Sequence, residues 1–526
     1  MKSEKNKGAA KGIELNEKFQ AALDMIETGK NVFITGRAGT GKSTLLQYFR
    51  AHTKKNIVVL APTGVAAINV NGQTIHSFFR FKIDVTLAKV KKAFGEVYEK
   101  LDAIVIDEIS MVRADLLDCV DKFMRLNGRA KNKPFGGAQM IFIGDLYQLP
   151  PVVTGDERAI FASHYDSPYF FSAKVFTEDK GAPFQMEMVE LDKIYRQKDG
   201  AFIDILNSIR NNSIDADQLA VLNKRFDPHF EPSDGNFFIY LCTTNKTASE
   251  INSRELAKLR GERRQYRGAI SGKFDDKYLP TDVDLAVKVG AQIMMLNNDE
   301  QGRWVNGTIA RVIGFERHEV LPEDIIMAEL ADGQKVEIGR HRWDIYNFHY
   351  NKAARRIDSE TVGSFDQYPF RLAWAVTIHK GQGKTFERVI LDIGNGTFSP
   401  GQLYVALSRC VSLAGLILKK PVRKCHVWLD WRVVKYMTGF QYQKSELVMS
   451  LADKTKMIEA AIEAERPLKI VYLKANDIRS EREIIPHRIG EMEYMGKTYL
   501  GVEAYCLSRQ EERVFRVDRI LEMREG

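Results

Sequence analysis

The sequence predicts an α/β chain with two parallel-sheet domains, a small antiparallel insert within the second, and a β-rich module at the C-terminus. Three observations lead there. A glycine-rich loop, Gly36-Arg37-Ala38-Gly39-Thr40-Gly41-Lys42-Ser43, lies between an apolar run (Asn31 to Thr35) and a helical pattern (Ser43 to Phe49). Short continuous apolar runs recur at Ile57 to Leu60, Ala103 to Ile106 and Met140 to Ile143, as strands buried on both faces should have. Amphipathic stretches such as Leu116 to Leu126 separate them, which is the alternation of a doubly wound sheet.

A second α/β region begins near Glu190, with its clearest strands at Phe237 to Cys242 and Val389 to Leu391. It is interrupted over 300–365. There Trp304-Val305-Asn306-Gly307-Thr308-Ile309 sets Asn-Gly between apolar runs, a strong hairpin signal, and strand-like alternation follows. Over 429–454 the periodicity weakens, which predicts a linker. Residues 456–464 read as a helix, and short strands with turn signals run to the end.

Bulk properties bound the function. At 526 residues the chain exceeds one core, given about 150 residues per domain. Its 44% hydrophobic and 28% charged content is that of a soluble protein. No apolar run reaches the ~18 residues of a membrane span. Residues 1–12 are Lys-rich without an apolar segment, so a disordered basic tail is expected rather than a secretory signal. Cys119, Cys242, Cys410, Cys425 and Cys506 are scattered and never form a Cys-x-x-Cys pair, which argues for free thiols in a reducing cytoplasm and against zinc. The net charge of +8 permits a polyanionic partner without demanding one.

The loop supplies the first chemistry. Gly36, Gly39 and Gly41 let the backbone curl so that N–H groups, Thr40 and Thr44 included, face phosphate oxygens, and the following helix N-terminus favours negative charge. Lys42 is placed to reach the β- and γ-phosphates and Ser43 to ligate Mg²⁺. Ile104-Val105-Ile106-Asp107-Glu108 is the matching half: a buried strand delivers two carboxylates, Asp107 for the metal shell and Glu108 for the attacking water. ATP and Mg²⁺ are therefore the expected cofactors.

Longer motifs identify the polymer. APTGVAAINVNGQTIHSFF (61–79), IDEISM (106–111), PFGGAQMIFIGDLYQLPPV (134–152), LDKIYRQ (191–197), YLCTTN (240–245), VKVGAQIMMLNN (287–298), AWAVTIHKGQGKTF (373–386) and GQLYVALSR (401–409) occur in one order. Over residues 13–428 the chain resembles the Pif-type DNA helicases, group B of helicase superfamily one. The resemblance implies two RecA-like P-loop domains: 13–189, with a small wedge insertion at about 76–100, and 190–299 with 366–428. It implies a Src-homology-like β-barrel insert at 300–365. It implies an ATP-dependent helicase of genome maintenance that tracks single-stranded DNA 5′-to-3′ and takes 5′-tailed or forked duplex, with G-quadruplex DNA a further candidate. A monomeric motor with no membrane partner is expected.

The same resemblance assigns Gln148 as a γ-phosphate sensor, against the alternative of a turn residue beside Pro150-Pro151. It places Arg196 and Arg409 as arginine fingers, against surface ion pairs, and Gln382 with the nucleotide. Gln20 is assigned to adenine, although the usual spacing falls on Phe19. DNA contacts fall on Pro62, Thr63, Gly64, Thr74, His76, Phe78 and Phe79 in the first domain, and on Thr244, Asn245, Thr377, His379 and Lys380 in the second, mostly to phosphate. Phe78, Phe79 and Phe81 are candidates for base stacking or for splitting the duplex, against the alternative of core packing. Arg340, His341, Arg342 and Trp343 form a basic-aromatic cluster or a solvated strand face. Gly381 stands where the family has Ser.

Residues 455–526 resemble a WYL domain, a small β-barrel module of bacterial proteins, through Ile470-Val471-Tyr472, Ile485-Pro486-His487-Arg488, Thr498-Tyr499-Leu500 and Arg513 to Ile520, with Thr498 in place of the family's Trp. That resemblance suggests binding of single-stranded nucleic acid, or regulation of the motor. Residues 465–526 carry twelve Lys plus Arg against twelve Asp plus Glu, so binding would need a clustered face: Tyr472, His487, Arg488, Tyr499, Arg509, Arg513 and Arg516. Two other readings stay open: a DNA-stimulated ATPase that remodels nucleoprotein complexes without separating strands, and a regulatory nucleotide-binding protein whose WYL module does the work.

Overall fold

The structure is a computed structural model. It describes residues 16–526 except 83, 94, 156, 178–183, 234–235, 273, 275–278, 318–322, 395, 475–476 and 495. The expected tail at 1–12 lies outside the described residues. The chain divides into two compact units: Met1–Asn207 with Asp215–Val427, and Ser208–Ile214 with Trp428–Gly526.

In the first unit the N-terminal sheet is made of β1 (Val32–Gly36), β2 (Ile57–Ala61), β3 (Gln73–Thr74), β4 (Ala103–Ile106), β5 (Gln139–Ile143) and β6 (Glu187–Leu191), in the order β3-β2-β4-β5-β1-β6. All five pairings are parallel. β1, β4 and β5 are buried along their whole length, which is why they read as unbroken apolar runs. Helices α1 (Glu17–Glu27) and α2 (Lys42–His52) cover one face, packing Phe19, Ile26, Leu45 and Phe49 on Val32, Ile34, Val105 and Ile141. Each such side chain taken from water contributes about 1.5–3 kcal/mol. The carboxyl ends of β1, β2, β4 and β5 share one edge, where open parallel sheets bind ligands.

A four-stranded parallel sheet follows, in the order Ala375–Thr377, Ile239–Cys242, Val389–Asp392, Leu416–Leu418. The antiparallel insert is larger than the 300–365 expected. Its five-stranded sheet runs Lys335–Ile338, Asp324–Leu330, Ile309–Arg317, Gln292–Met295, Phe370–Leu372. A long hairpin, His341–Asn351 with Arg356–Gln367, pairs with Ala269–Gly272. One core joins Leu285, Ile293, Met295, Val312, Ile326 and Phe370. Gln292–Met295 is buried throughout, so its apolar run has the look of a parallel strand and masks the boundary. Asn306-Gly307 does sit in the connection between the antiparallel strands Gln292–Met295 and Ile309–Arg317.

The second unit corrects the expected linker. Residues 429–454 contain a helix, Trp431–Val448, and the start of another, Leu451–Glu463. The first buries Val433, Met437, Gln441 and Ser445, a stripe that is half polar, so its hydrophobic period is weak. Its polar members are satisfied: the Ser445 hydroxyl meets the carbonyls of Ile520 (3.2 Å) and Leu521 (2.7 Å), and the Gln441 amide donates to Asp477 (2.7 Å). The sheet is antiparallel, ordered Glu511–Arg516, Lys497–Cys506, Arg479–Tyr494, Leu468–Leu473, Ile520–Glu525. Among the described residues the two edge strands do not pair, so it is an open sheet rather than the expected closed barrel.

Candidate active site

The glycine-rich loop leaves the end of β1 and leads into α2. Lys42, first in that helix, folds back so that its ammonium donates to the carbonyls of Gly36 (2.7 Å) and Arg37 (3.0 Å). Thr40 is buried and donates to Arg37 O (2.9 Å), while Ser43 and Thr44 are exposed in the first turn. Gly39 has φ +82°, and a Cβ there would lie 2.6 Å from Arg196 Cβ. Only glycine allows that approach.

β4 ends in the carboxylates. Asp107 is buried and accepts the Glu108 N–H (2.9 Å). Glu108 holds a left-handed backbone, φ +50°, a strained conformation for a side-chain-bearing residue. Burial, then the neighbouring Glu108 charge, push the Asp107 carboxyl up to about 7. Burial also raises Glu108, opposed by Lys42 and Arg409. Two buried carboxylates close to Lys42 are short of positive charge, so the donor set of Asp107 and the Ser43 hydroxyl fits a divalent cation. Among the described residues, buried Thr35 Oγ1 and Ser110 Oγ, beside the loop and the acidic pair, have no hydrogen-bond partner. Gln148, after β5, is 7% exposed, and its amide donates to Asp145 (3.2 Å).

The second domain reaches this edge with several groups. Gln382 Nε2 donates to Glu108 Oε2 (3.1 Å) and lies 3.5 Å from Gln148 Oε1. Tyr404 Oη accepts the Ala38 N–H inside the loop (2.9 Å). Gly401, φ +71°, sits where a Cβ would be 2.4 Å from the carbonyls of Tyr147 and Gln148. Arg196 donates to Ser408 O (3.1 Å) and Gly383 O (3.4 Å). Arg409 is 1% exposed and donates to Val405 O (2.9 Å), Ser408 Oγ (2.9 Å) and Lys384 O (3.4 Å). Burial, then the like charge of Arg409, lower Arg196 to about 9, and burial lowers Arg409. Two desolvated guanidiniums beside one loop suit a polyphosphate. Neither Tyr404 nor Asp145 was singled out from sequence, although both lie inside the quoted motifs.

Gln20, expected at the adenine, is exposed, and its amide donates to Asp24 a turn along α1 (2.7 Å). Phe19, at the usual spacing, puts its ring 3.0 Å from where a Gly41 Cβ would be.

The residues expected to contact a strand share a local geometry. Thr63, Thr74 and Thr244 each cap a helix, the hydroxyl oxygen accepting from the backbone N–H three residues on (3.2, 3.1 and 3.2 Å). Thr377 does the same with Lys380 N (3.3 Å). The hydroxyl hydrogens of Thr63, Thr74 and Thr377 remain donors, while the Thr244 hydroxyl also meets that of Thr247 (2.9 Å). Pro62, Gly64 and Asn245 flank these caps. Burial lowers His76 and His379, and His379 stacks on Phe398 (6.5 Å between centroids, 14°).

Base stacking is corrected for Phe78 and Phe79. They are 5% and 1% exposed, packed edge-on to Tyr98 (5.5 Å) and Phe123 (5.2 Å) respectively. Phe81 stacks on Phe79 (5.4 Å). In the insert, Arg340 is paired with Asp366 and Glu323 (both 3.1 Å), Arg342 with Asp344 (2.9 Å), and Trp343 is buried on Phe365. His341 lies edge-on to Trp343 (4.8 Å).

Within the C-terminal unit, the Arg516 guanidinium lies over the Tyr499 ring (5.0 Å), and the Arg516 backbone N–H donates to Tyr472 Oη (3.4 Å). Arg516 also pairs with Asp518 (2.6 Å). Arg488, His487 and Arg513 are held by Glu503 (2.6 Å), Glu512 (3.4 Å) and Glu511 (2.5 Å). Arg509 instead joins Arg482 and Arg513 around Lys474, whose ammonium is lowered by burial and then by these three cations.

Comparison with known proteins agrees with this geometry. The PIF1-like helicase family matches residues 14–220, and the WYL domain matches residues 453–525. The ATP-dependent DNA helicase Pif1 of Bdellovibrio bacteriovorus is 32% identical over 419 residues, covering 77% of this chain and 88% of that protein. The crystal structure of Bacteroides sp Pif1 with ADP-AlF4 is 36% identical with a TM-score of 0.73, over 82% of this chain and 98% of that one. Bacteroides Pif1 bound to ssDNA gives 36% identity and a TM-score of 0.60, over 81% and 97%. A phosphate loop, an acidic pair and a second domain that grips both, in a chain so matched, lead to one assignment: the protein belongs to the PIF1-like family of ATP-dependent DNA helicases.

Proposed function

We propose that the chain draws one DNA strand 5′-to-3′ through the cleft between its two parallel-sheet domains and parts tailed or forked duplex ahead of it. The reach of Gln382, Tyr404, Arg196 and Arg409 from the second domain to the loop and acidic pair of the first supports this reading most. Lys42 binds the β- and γ-phosphates. Ser43 and Asp107 would hold Mg²⁺, which when bound would supply charge neutralisation at the phosphate oxygens. Glu108 takes the proton of the attacking water as the bond between the γ-phosphorus and the bridging oxygen breaks. Arg196 and Arg409 stabilise the charge on the transferring group, a contribution of roughly 10³–10⁵ in rate for such fingers. Gln148 and Gln382 register the loss of γ-phosphate. Closure with ATP and opening after cleavage then shift the grip between Thr63, Thr74 and His76 on one side and Thr244, Thr377, His379 and Lys380 on the other.

The family resemblance supports the direction, a monomeric motor and quadruplex DNA among the substrates. The WYL unit serves as a single-strand-binding or regulatory module through Tyr472, Tyr499 and Arg516. The deciding experiment is strand release from 5′-tailed and 3′-tailed duplexes with ATP. Release from the 5′ tail alone is expected. Release from the 3′ tail alone overturns the direction, and hydrolysis without release from either favours a remodelling ATPase.

A further inference from the structure

We propose that Lys384, with Arg371 and Lys380, forms a site for one backbone phosphate of the bound strand, and that Gln382-Gly383-Lys384 carries its occupancy to both arginines of the nucleotide site. This rests on the strand-tracking reading above and adds to it a residue and a route.

The cluster lies where three parts of the first unit meet. Lys384 is only 5% exposed, and its ammonium donates to the Asn306 side-chain oxygen in the Asn-Gly turn of the insert. Asn306 in turn donates to Asn69 Oδ1 (2.7 Å), at the end of the first-domain helix Gly64–Asn69 that Thr63 caps. Arg371 donates to Pro280 O, while its buried Nε has no hydrogen-bond partner among the described residues. Arg371 disfavours the charge of both lysines. Burial and Arg371 lower Lys384, and burial and Arg371 lower Lys380, with Asp282 opposing only at Lys380 and Arg371. A buried ammonium whose acting neighbour is a second cation is costly unless an anion completes the site. Val65, Ile68, Met294 and Leu296 wall the cavity, a surface for sugar rather than for a free ion.

The cavity holds about 20 Å³, room for one water and not for a phosphate. A phosphate therefore enters only when Lys384 leaves Asn306 and the turn parts from Asn69. The same tripeptide faces the nucleotide on its other side. The Gln382 amide holds Glu108, the Gly383 carbonyl accepts from Arg196, and the Lys384 carbonyl accepts from Arg409 (3.1, 3.4 and 3.4 Å). A shift of Lys384 toward a phosphate moves the acceptors of both arginines.

The test is oligothymidylate binding by the full chain across a salt series, with and without a non-hydrolysable ATP analogue. Lys384→Gln is expected to weaken binding about tenfold and to lower the slope of log K against log salt by about 0.7, one phosphate contact. The analogue's effect on strand affinity should also shrink, and by reciprocity the strand's effect on analogue affinity shrinks by the same factor. Asn306→Asp guards against misfolding of the first variant. It ties Lys384 in an ion pair, and weaker binding with a reduced slope is expected. Unchanged affinity and slope in either folded variant overturns the phosphate site, and an unchanged analogue effect overturns the route. Loss of analogue affinity with strand binding intact would mean that the cluster serves the nucleotide, also overturning the site. Failure of the wild-type chain to release a tailed strand would instead count against the strand-tracking reading itself.

Discussion

Gln382 Nε2 donates to Glu108 Oε2 across the cleft, at 3.1 Å, so the carboxylate read as the water's base is held by the opposite domain. Base and clamp therefore come together only when the domains do. Gln382→Ala is expected to lower DNA-stimulated turnover roughly ten- to a hundredfold, part of the 10²–10⁴ that a positioned base supplies. Nucleotide affinity should stay within a fewfold, because Lys42 and the loop are untouched. Steady-state hydrolysis beside equilibrium binding of a fluorescent ATP analogue checks both.

Lys42→Ala separates the engine from the track. The ammonium lies inside the loop on Gly36 O and Arg37 O, while the threonine caps proposed to meet the strand belong to other loops. Hydrolysis and unwinding are expected to vanish, with oligothymidylate affinity, read by anisotropy, unchanged within about twofold; a hydrogen bond to a charged group is worth about 1.5–3 kcal/mol, and none to DNA is removed.

Gly39→Ala tests the fit between loop and finger. Its φ of +82° costs a side-chain-bearing residue about 1–2 kcal/mol, and the new methyl would stand 2.6 Å from Arg196 Cβ. Arg196 must move, so turnover should fall by at least the ~10³ of an arginine finger. Gly155→Ala, where the added carbon meets nothing within 4 Å, is the control and should hydrolyse ATP normally.

The loop and the acidic pair were legible because local spacing beside strands buried on both faces fixes them, while the two arginines were named through the family resemblance. What spacing does not carry was missed. Tyr404 acts across 366 residues of sequence, and Gln382, although expected at the nucleotide, reaches Glu108 across 274, through contacts that exist only once two sheets face each other. Phe78 and Phe79 look like exposed stacking platforms until Tyr98 and Phe123 enclose them. The helix Trp431–Val448 was hidden because Gln441 and Ser445 take core positions that apolar residues usually fill.

That polar seam predicts a stability effect confined to the C-terminal unit. Lys454 is 1% exposed, and its ammonium donates to Ser445 Oγ (2.7 Å), whose hydroxyl serves the carbonyls of the final strand. Burial holds Lys454 below its ordinary value. Lys454→Ala leaves a buried polar hydroxyl short of one partner and opens space beneath the helix, a loss of about 1–3 kcal/mol. Hydrogen exchange should show faster opening in 431–463 and 520–525, with strands β1, β4 and β5 unaffected.

Lys384 gives the strand site a pH dependence with two opposite signs. Burial, then Arg371, lower its ammonium to about 8 from an ordinary 10.5; Lys380 is lowered beside it, and Asp282 is the carboxylate facing Lys380 and Arg371. An unfolded chain keeps this proton up to about pH 10.5 and the folded one releases it near 8. Between those values the unfolded state binds more protons, so this group makes the DNA-free protein more stable as pH rises from 8 toward 10.5 and adds no slope below 8. Strand affinity runs the other way, since a neutral amine no longer attracts phosphate: oligothymidylate binding should weaken above pH 8 in the wild type. Lys380 titrates in both proteins, so the difference between wild type and Lys384→Gln isolates the effect. The two binding curves should converge as pH rises from 7 to 9.5, while a constant gap across that range would show that the Lys384 charge does not contribute to holding the strand.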